Sequence, residues 1–275
     1  MGHNIRIRPV FGGQIQRLID YRSFSFSGGE IQVRLDLEEK ITPLAFDLEA
    51  DLRSPADIIE LMLVTNAIRH AFPGVDLSLL CPYLPYARQD RVCVAGEAFS
   101  LEVICAMLNI LEFDRISLWD VHSEVSLRLL NNSSNEPAAV LIPRSIIGDA
   151  ILVAPDKGAI PRVEFCAGLF DRPMIRAEKV RNPDTGEITH TEVHLDDVDC
   201  AGRDFFIIDD ICDGGRTFIE LAQVLRPLTT GKIKLWVTHG IFSQGFEVFK
   251  GLIDEIYTAN CFQETVPSFV RVVHN

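Results

Sequence analysis

Phe205-Phe206-Ile207-Ile208-Asp209-Asp210-Ile211-Cys212-Asp213-Gly214-Gly215-Arg216-Thr217 is the stretch on which the fold turns. Its first residues are apolar and β-prone, as in a strand buried on both faces. After Thr217, Phe218, Leu221, Ala222 and Leu225 recur at helical spacing. Strand, acidic loop and helix in succession make an α/β unit, and in open α/β sheets ligands bind beyond the carboxyl ends of the strands. Two adjacent acids there can accept hydrogen bonds from both hydroxyls of a ribose. The Gly-Gly turn exposes backbone N–H groups at a helix N-terminus, where phosphate binds. Acids for a sugar beside amides for a phosphate point to a sugar phosphate.

The same alternation runs outward from this segment. Further strands are expected at Leu77–Cys81, Ile116–Trp119, Ile151–Ala154 and Ile233–Thr238, with the central one at Phe205–Asp209. Leu61, Val64, Ile68 and Phe72 share one helical face, as do Leu101, Ile104, Cys105 and Leu108. Strands alternating with helices imply mostly parallel sheets joined by right-handed crossovers. Asn131-Asn132-Ser133-Ser134-Asn135-Glu136-Pro137 reads as a polar linker that breaks any helix. It divides the chain into halves at 1–137 and 138–275, each with a strand, a charged loop and a helix, which suggests an internal duplication. The turn-forming Asn182-Pro183-Asp184-Thr185-Gly186-Glu187 lies between β-prone flanks, so Lys179 to Glu192 is expected to form a protruding hairpin.

With 275 residues, 47% of them hydrophobic, the chain is globular in composition. No run approaches the roughly 20 apolar residues of a membrane span. The first ten residues carry Arg6, Arg8 and Pro9 and lack the apolar centre of a secretory signal. A net charge of −13 argues against a general nucleic-acid binder. Seven cysteines without CxxC spacing are expected to be reduced core residues in a cytoplasmic protein. His190 and His194 stand four apart, but Glu192 is not where the metalloprotease HExxH motif has its glutamate. In a β-prone segment i and i+4 lie far apart, so both are expected to be surface residues.

The segment Asp209 to Thr217 resembles the phosphoribosyl diphosphate binding motif of type I phosphoribosyltransferases. Within that superfamily the chain resembles the ribose-phosphate diphosphokinases, or phosphoribosyl diphosphate synthetases. Phe26-Ser27-Gly28-Gly29-Glu30, Tyr86-Ala87-Arg88-Gln89-Asp90-Arg91, Asp120-Val121-His122, Pro155-Asp156, Lys179-Val180-Arg181 and Thr238-His239-Gly240 follow in the family's order. The resemblance covers most of the chain, and the Tyr86–Arg91 segment is specific to the synthetases.

The resemblance implies two phosphoribosyltransferase-like halves with the active site between them and a homo-oligomer in which a neighbouring chain supplies Phe26 and Glu30 to ATP. It implies a transfer of the β,γ-diphosphate of ATP to the anomeric hydroxyl of a 5-phosphorylated ribose. Arg88, Gln89 and Arg91 would bind ATP, and arginine suits that task because its planar fork grips phosphate oxygens in pairs. His122 and Asp156 would help to hold Mg²⁺, apart from the triphosphate loop. Asp209 and Asp210 would hold the ribose hydroxyls, and Asp213, Gly214, Gly215, Arg216 and Thr217 the 5-phosphate. Lys179 and Arg181 would lie on a mobile catalytic flag, with Asp213 as a third catalytic candidate. Other classes remain: a phosphoribosyltransferase acting on a base, which has no use for Tyr86–Arg91, and a non-catalytic regulatory partner, which would have lost these cations and acids.

Four departures from the family pattern stand out. The Phe26–Glu30 motif comes early, so a first strand and helix are expected to be missing, and a final helix is expected to be missing after Val270-Arg271-Val272-Val273. Gly28 stands where an aspartate usually contacts adenine. The phosphate loop, usually Asp-Thr-Gly-Gly-Thr, reads Asp213-Gly214-Gly215-Arg216-Thr217. A hydroxyl is lost and a guanidinium gained, which would suit an acceptor with an extended 5-phosphate such as ADP-ribose.

Overall fold

The two large sheets of the molecule are each seeded by buried parallel strands. The computed structural model describes residues 4–12, 14–15, 17–37, 42–181, 188–195 and 198–273. They fall into two compact units, Met1–Glu136 and Pro137–Asn275.

The first unit runs β1 (Ile5–Phe11), β2 (Gln14–Ile15), β3 (Tyr21–Ser25), β4 (Ile31–Leu35), β5 (Ala45–Ala50), α1 (Pro55–Ala71), β6 (Asp76–Cys81), α2 (Ser100–Asn109), β7 (Arg115–Trp119), α3 (Val125–Leu129) and β8 (Ser133–Glu136). Its sheet has the order β2-β1-β5-β6-β7-β8. The pairs from β5 to β8 are parallel, and β1 is antiparallel to β5. α1 starts where it does because Ser54 and Asp57 form a reciprocal capping box and Pro55 opens the first turn. Its buried stripe of Ile58, Leu61, Val64 and Ile68 packs into a core with Phe46, Leu48, Leu77 and Leu79 of the central strands. β3 and β4 form a separate antiparallel ribbon. It is tied to α1 through Glu60, which accepts from Tyr21 Oη at 2.6 Å and Ser23 Oγ at 3.0 Å.

The second unit runs α4 (Ala138–Leu141), α5 (Arg144–Ile147), β9 (Ile151–Ala154), α6 (Ile160–Phe170), β10 (Met174–Arg181), β11 (Ile188–His194), β12 (Phe205–Cys212), α7 (Arg216–Leu225), β13 (Ile233–Gly240), β14 (Glu255–Cys261) and β15 (Val270–Val272). The sheet order is β11-β10-β9-β12-β13-β14-β15, parallel except for the β10–β11 hairpin. Phe205, Phe206, Ile207 and Ile208 are wholly buried, which explains their unbroken apolar run.

Several expectations change. The polar linker is in part a strand: Ser133–Glu136 pairs with Ile116–Trp119 as the sheet edge, where a polar sequence is tolerated because one side meets water. A strand, β1, does precede the Phe26–Glu30 motif. Among the described residues no helix precedes α1 and none follows β15. All seven cysteines are free, but Cys93 is exposed and Cys261 half-buried, so not every one is a core residue. β12 runs on to Cys212, past the expected end at Asp209, so Asp210 too lies within the strand and not in the loop after it. Among the described residues, no helix is long and apolar enough to cross a membrane.

Candidate active site

The carboxyl end of β12 carries the acid pair. Asp209 and Asp210 are nearly buried, and Asp209 Oδ1 accepts the Asp210 amide at 3.0 Å. Arg162, from the first turn of α6, approaches Asp209 Oδ1 to 3.3 Å and Asp210 Oδ1 to 3.8 Å through Nη1. Burial, and after it repulsion from Asp210, pushes the Asp209 carboxyl well above the usual carboxylate range, against the pull of Arg162. Asp156, in the turn between β9 and α6, accepts the Gly158 amide at 2.9 Å and the Ala159 amide at 3.2 Å on Oδ1.

Past β12 the chain turns through Asp213 and Gly214 into α7. Gly215 is the N-cap, with φ +81, and a Cβ there would meet the Phe249 ring at 2.5 Å, so only glycine fits. A glycine cap offers no side-chain acceptor, so no side chain of the cap competes with an anion at the start of α7. The turn is anchored from behind, because Cys212 O accepts Ile241 N and Phe242 N while Asp213 O accepts Ser243 N. A Cβ at Gly214 would make an ordinary 3.6 Å contact with Gln244 Cγ. Arg216 is largely exposed and donates through Nε to Glu220 Oε1 at 2.6 Å, one helical turn on.

In the first unit the loop after β6 encloses a cavity of about 450 Å³ lined by Arg88, Gln89, Arg91, Cys93, Glu97 and His122 among others. Tyr86, at φ +64, turns the chain sharply, and Gln89 N donates to Tyr86 O at 2.9 Å. Glu97 closes the loop by accepting Cys93 N at 2.9 Å and Val94 N at 3.0 Å on one oxygen. His122 enters the same cavity from the carboxyl end of β7, after a turn in which Asp120 sits at φ +41. His122 is therefore not apart from the proposed triphosphate loop. β6 and β7 are neighbouring parallel strands, so their carboxyl-end loops converge.

Phe26 to Glu30 form the exposed tip of the β3–β4 ribbon, closed by Phe26 N to Glu30 O at 2.8 Å. The Phe26 ring stacks edge-on against Phe24, and Glu30 Oε2 fills the space of a side chain at Gly28, 2.5 Å from where its Cβ would lie. Lys179 and Arg181 lie on β10 opposite Thr191 and Ile188, with a register shift between Val180 and Arg181. Their side chains, the hairpin tip at 182–187 and the His190 side chain lie outside the described residues, whereas His194 is exposed.

Among the described residues, no three His, Cys, Asp or Glu side chains cluster as a self-sufficient metal site. Mg²⁺ does not need one, since it takes one or two protein ligands and fills its shell with phosphate oxygens and water. His122, on a cavity rich in phosphate-binding side chains, fits a metal that arrives with nucleotide phosphates. Asp156 has one oxygen engaged by the turn it closes.

Residues 141–258 match the model of the phosphoribosyl transferase domain family. The chain is similar to the ribose-phosphate pyrophosphokinase of Thermococcus kodakarensis, with 34% identity over 218 residues, 77% of this chain and 74% of that one. A Pyrococcus abyssi ribose-phosphate pyrophosphokinase is 32% identical over 224 residues, 79% of this chain and 74% of its own. The chain belongs to the ribose-phosphate pyrophosphokinase family. It is accordingly an enzyme of the diphosphotransferase type. In fold it is similar to the crystal structure of phosphoribosylpyrophosphate synthetase from Mycobacterium smegmatis, with a TM-score of 0.76 at 20% identity, covering 94% of this chain and 87% of that one.

Two residues of this pyrophosphokinase-family site escape the sequence reading. Arg162 is a cation in the first turn of a helix, where the dipole disfavours positive charge. That misplacement is the signal that could have found it. Glu97 reads as one more surface acid, and only the loop geometry shows its two amide bonds.

Proposed function

We propose that this enzyme transfers the β,γ-diphosphate of ATP to the 1-hydroxyl of ribose 5-phosphate, giving phosphoribosyl diphosphate and AMP. The observation that carries the reading is the cavity gathering Arg88, Gln89, Arg91 and His122, a nucleotide-triphosphate lining that a base-transferring enzyme does not need. The acid pair of β12 and the glycine-capped start of α7 are the matching candidates for ribose hydroxyls and 5-phosphate.

In the reaction the 1-oxygen of the ribose attacks the β-phosphorus of ATP. The bond from that phosphorus to the α,β-bridging oxygen breaks, AMP leaves and the hydroxyl proton is lost. Such a transfer needs alignment and charge stabilisation more than covalent help. Arg88, Gln89 and Arg91 fix the triphosphate. Asp209 and Asp210 accept from the ribose hydroxyls and so aim the anomeric oxygen. The amides after Gly215 hold the 5-phosphate, and Asp213 orients the turn that presents them. Lys179 and Arg181, on the β10–β11 hairpin, stabilise charge on the moving group. Mg²⁺ held by His122 and Asp156 together with the phosphates would neutralise charge on the diphosphate. Phe26 and Glu30, on an exposed tip, are assigned to the nucleotide of a neighbouring copy in a homo-oligomer.

One feature favours a second acceptor. Gly214 leaves space beside the phosphate turn, and Arg216 stands exposed at its mouth. ADP-ribose, with a free anomeric hydroxyl and a diphosphate at its 5-position, would use both, giving ADP-ribose 1-diphosphate.

The deciding experiment supplies the purified protein with ATP, Mg²⁺ and ribose 5-phosphate or ADP-ribose and identifies products by mass. AMP together with a 1-diphosphate product is expected. Absence of AMP, with base transfer from phosphoribosyl diphosphate instead, would overturn the reading. His122→Ala is expected to raise the Mg²⁺ concentration for half-maximal rate several-fold. An unchanged Mg²⁺ dependence would remove His122 from the metal site.

A further inference from the structure

Two nearly buried carboxylates next to each other are unfavourable unless a cation compensates them, because each loses hydration and repels the other. The ribose-hydroxyl role proposed for Asp209 and Asp210 needs them as acceptors, and an ionised carboxylate is an acceptor only. Adjacent residues of a strand point to opposite faces, so one local group does not readily serve both. Arg162 does serve both. It projects from α6, which packs on β9, β10 and β12, and its Nη1 lies 3.3 Å from Asp209 Oδ1 and 3.8 Å from Asp210 Oδ1. Its side chain is itself only 14% exposed, so water screens the interaction little. The acids that face the pair from the neighbouring turn include Asp156, which adds repulsion and no compensation.

We infer that Arg162 is a positioning residue for the acceptor site, bridging Asp209 and Asp210 and holding the two carboxyls side by side as a receptor for vicinal hydroxyls. It acts through the two acids and not on the substrate. The inference rests on the proposed acceptor reading, since a pair with no diol to bind would not need to be held in this geometry. Arginine suits the task better than lysine because its guanidinium is planar and weakly hydrated, and so is held between two buried carboxyls at less cost. The position also links two parts of the site along one short path. The turn that carries Asp156 leads directly into the first turn of α6, so Arg162 sets the acid pair in register with that turn.

The test measures KM for ribose 5-phosphate and for ATP, with kcat, in the full-length protein and in Arg162→Lys and Arg162→Met. Loss of a charge-assisted contact corresponds to about a tenfold or greater change in affinity. Acceptor KM is expected to rise about tenfold or more in Arg162→Met and by less in Arg162→Lys, while ATP KM stays within about twofold. A merely structural arginine would raise both constants together or leave both alone, and either result overturns the inference. Should Arg162→Met not fold, Arg162→Lys decides alone: an acceptor KM equal to that of the unsubstituted protein rejects the role. A thermal-unfolding cycle of Arg162→Lys with Asp209→Asn separates this inference from the function beneath it. Neutralising Asp209 is expected to be less costly, or more stabilising, in the Arg162→Lys background than in the unsubstituted protein. If ribose 5-phosphate is not turned over yet the cycle shows this coupling, the acceptor reading fails while the charge compensation stands. If turnover is normal and the cycle is additive, Arg162 does not compensate the pair.

Discussion

Lys179→Ala is expected to lower kcat by about a thousandfold or more while leaving ATP affinity within a few-fold, because a cation aimed at charge that develops only in the transition state contributes there and little to ground-state binding. The assignment rests on the place of Lys179 in the fold. It sits toward the far end of β10 in the β10–β11 hairpin, opposite Thr191 on β11, which among the described residues is the edge strand of the sheet. Such a hairpin can close over bound substrates without disturbing the core, and closure excludes water and completes the charge arrangement. The measurement is kcat and KM for ATP in Lys179→Ala, with nucleotide binding followed separately by calorimetry. A fall of less than tenfold in kcat would move the catalytic cation elsewhere on the hairpin, with Arg181 next to be tested. An equal loss of ATP affinity would make Lys179 a ground-state ligand. The register shift between Val180 and Arg181 makes the two cations inequivalent in the ladder, so Lys179→Ala and Arg181→Ala are expected to differ in size of effect.

The second large effect concerns acceptor choice. Gly214→Thr with Arg216→Gly is expected to shift the ratio of kcat/KM toward ribose 5-phosphate and away from ADP-ribose by about ten- to a hundredfold, the worth of one charge-assisted bond. A terminal phosphate dianion is best held by a tight ring of amides closed by a hydroxyl. An internal phosphate of a diphosphate must leave one side open for the rest of the ligand. The turn accepts the change structurally: a Cβ at position 214 meets Gln244 Cγ at an ordinary 3.6 Å, whereas position 215 tolerates nothing larger than glycine. Arg216 now bonds Glu220, so it must exchange that partner for a second phosphate. The exposed pair is worth little by itself, and the exchange costs correspondingly little. Glu220→Gln is therefore expected to improve use of ADP-ribose modestly. If the native protein ignores ADP-ribose, or the ratio does not move in the double variant, Arg216 and Glu220 are simply a surface pair.

Much of this molecule was legible in its chain. The unbroken apolar runs at 151–154 and 205–208 mark strands buried on both faces, and the stripes of α1, α2 and α7 mark the helix faces that cover the sheets. These are local signals, because burial on one side or two imposes its own period on the sequence. The strands Ala45–Ala50 and Glu255–Cys261 carry no such signal, since charged or polar residues interrupt their apolar pattern. The edge strand Ser133–Glu136 has the composition of a loop, and only pairing with β7 makes it a strand.

The types of groups at the site are written in the sequence as well: arginines and an amide after one strand, a histidine after the next, two acids and a glycine turn at a third. What each group faces is not. That Arg88, Gln89, Arg91 and His122 line one cavity follows from the adjacency of β6 and β7, which are separated by a whole helix along the chain. That Arg162 meets Asp209 and Asp210 follows from α6 packing against β12, with Asp209 forty-seven residues from Arg162 in sequence. Local sequence determines the period of burial, the turns and the chemical inventory, because these depend on near neighbours and on solvent. Charge pairing across distant segments depends on which strands lie side by side, and only the tertiary structure decides that.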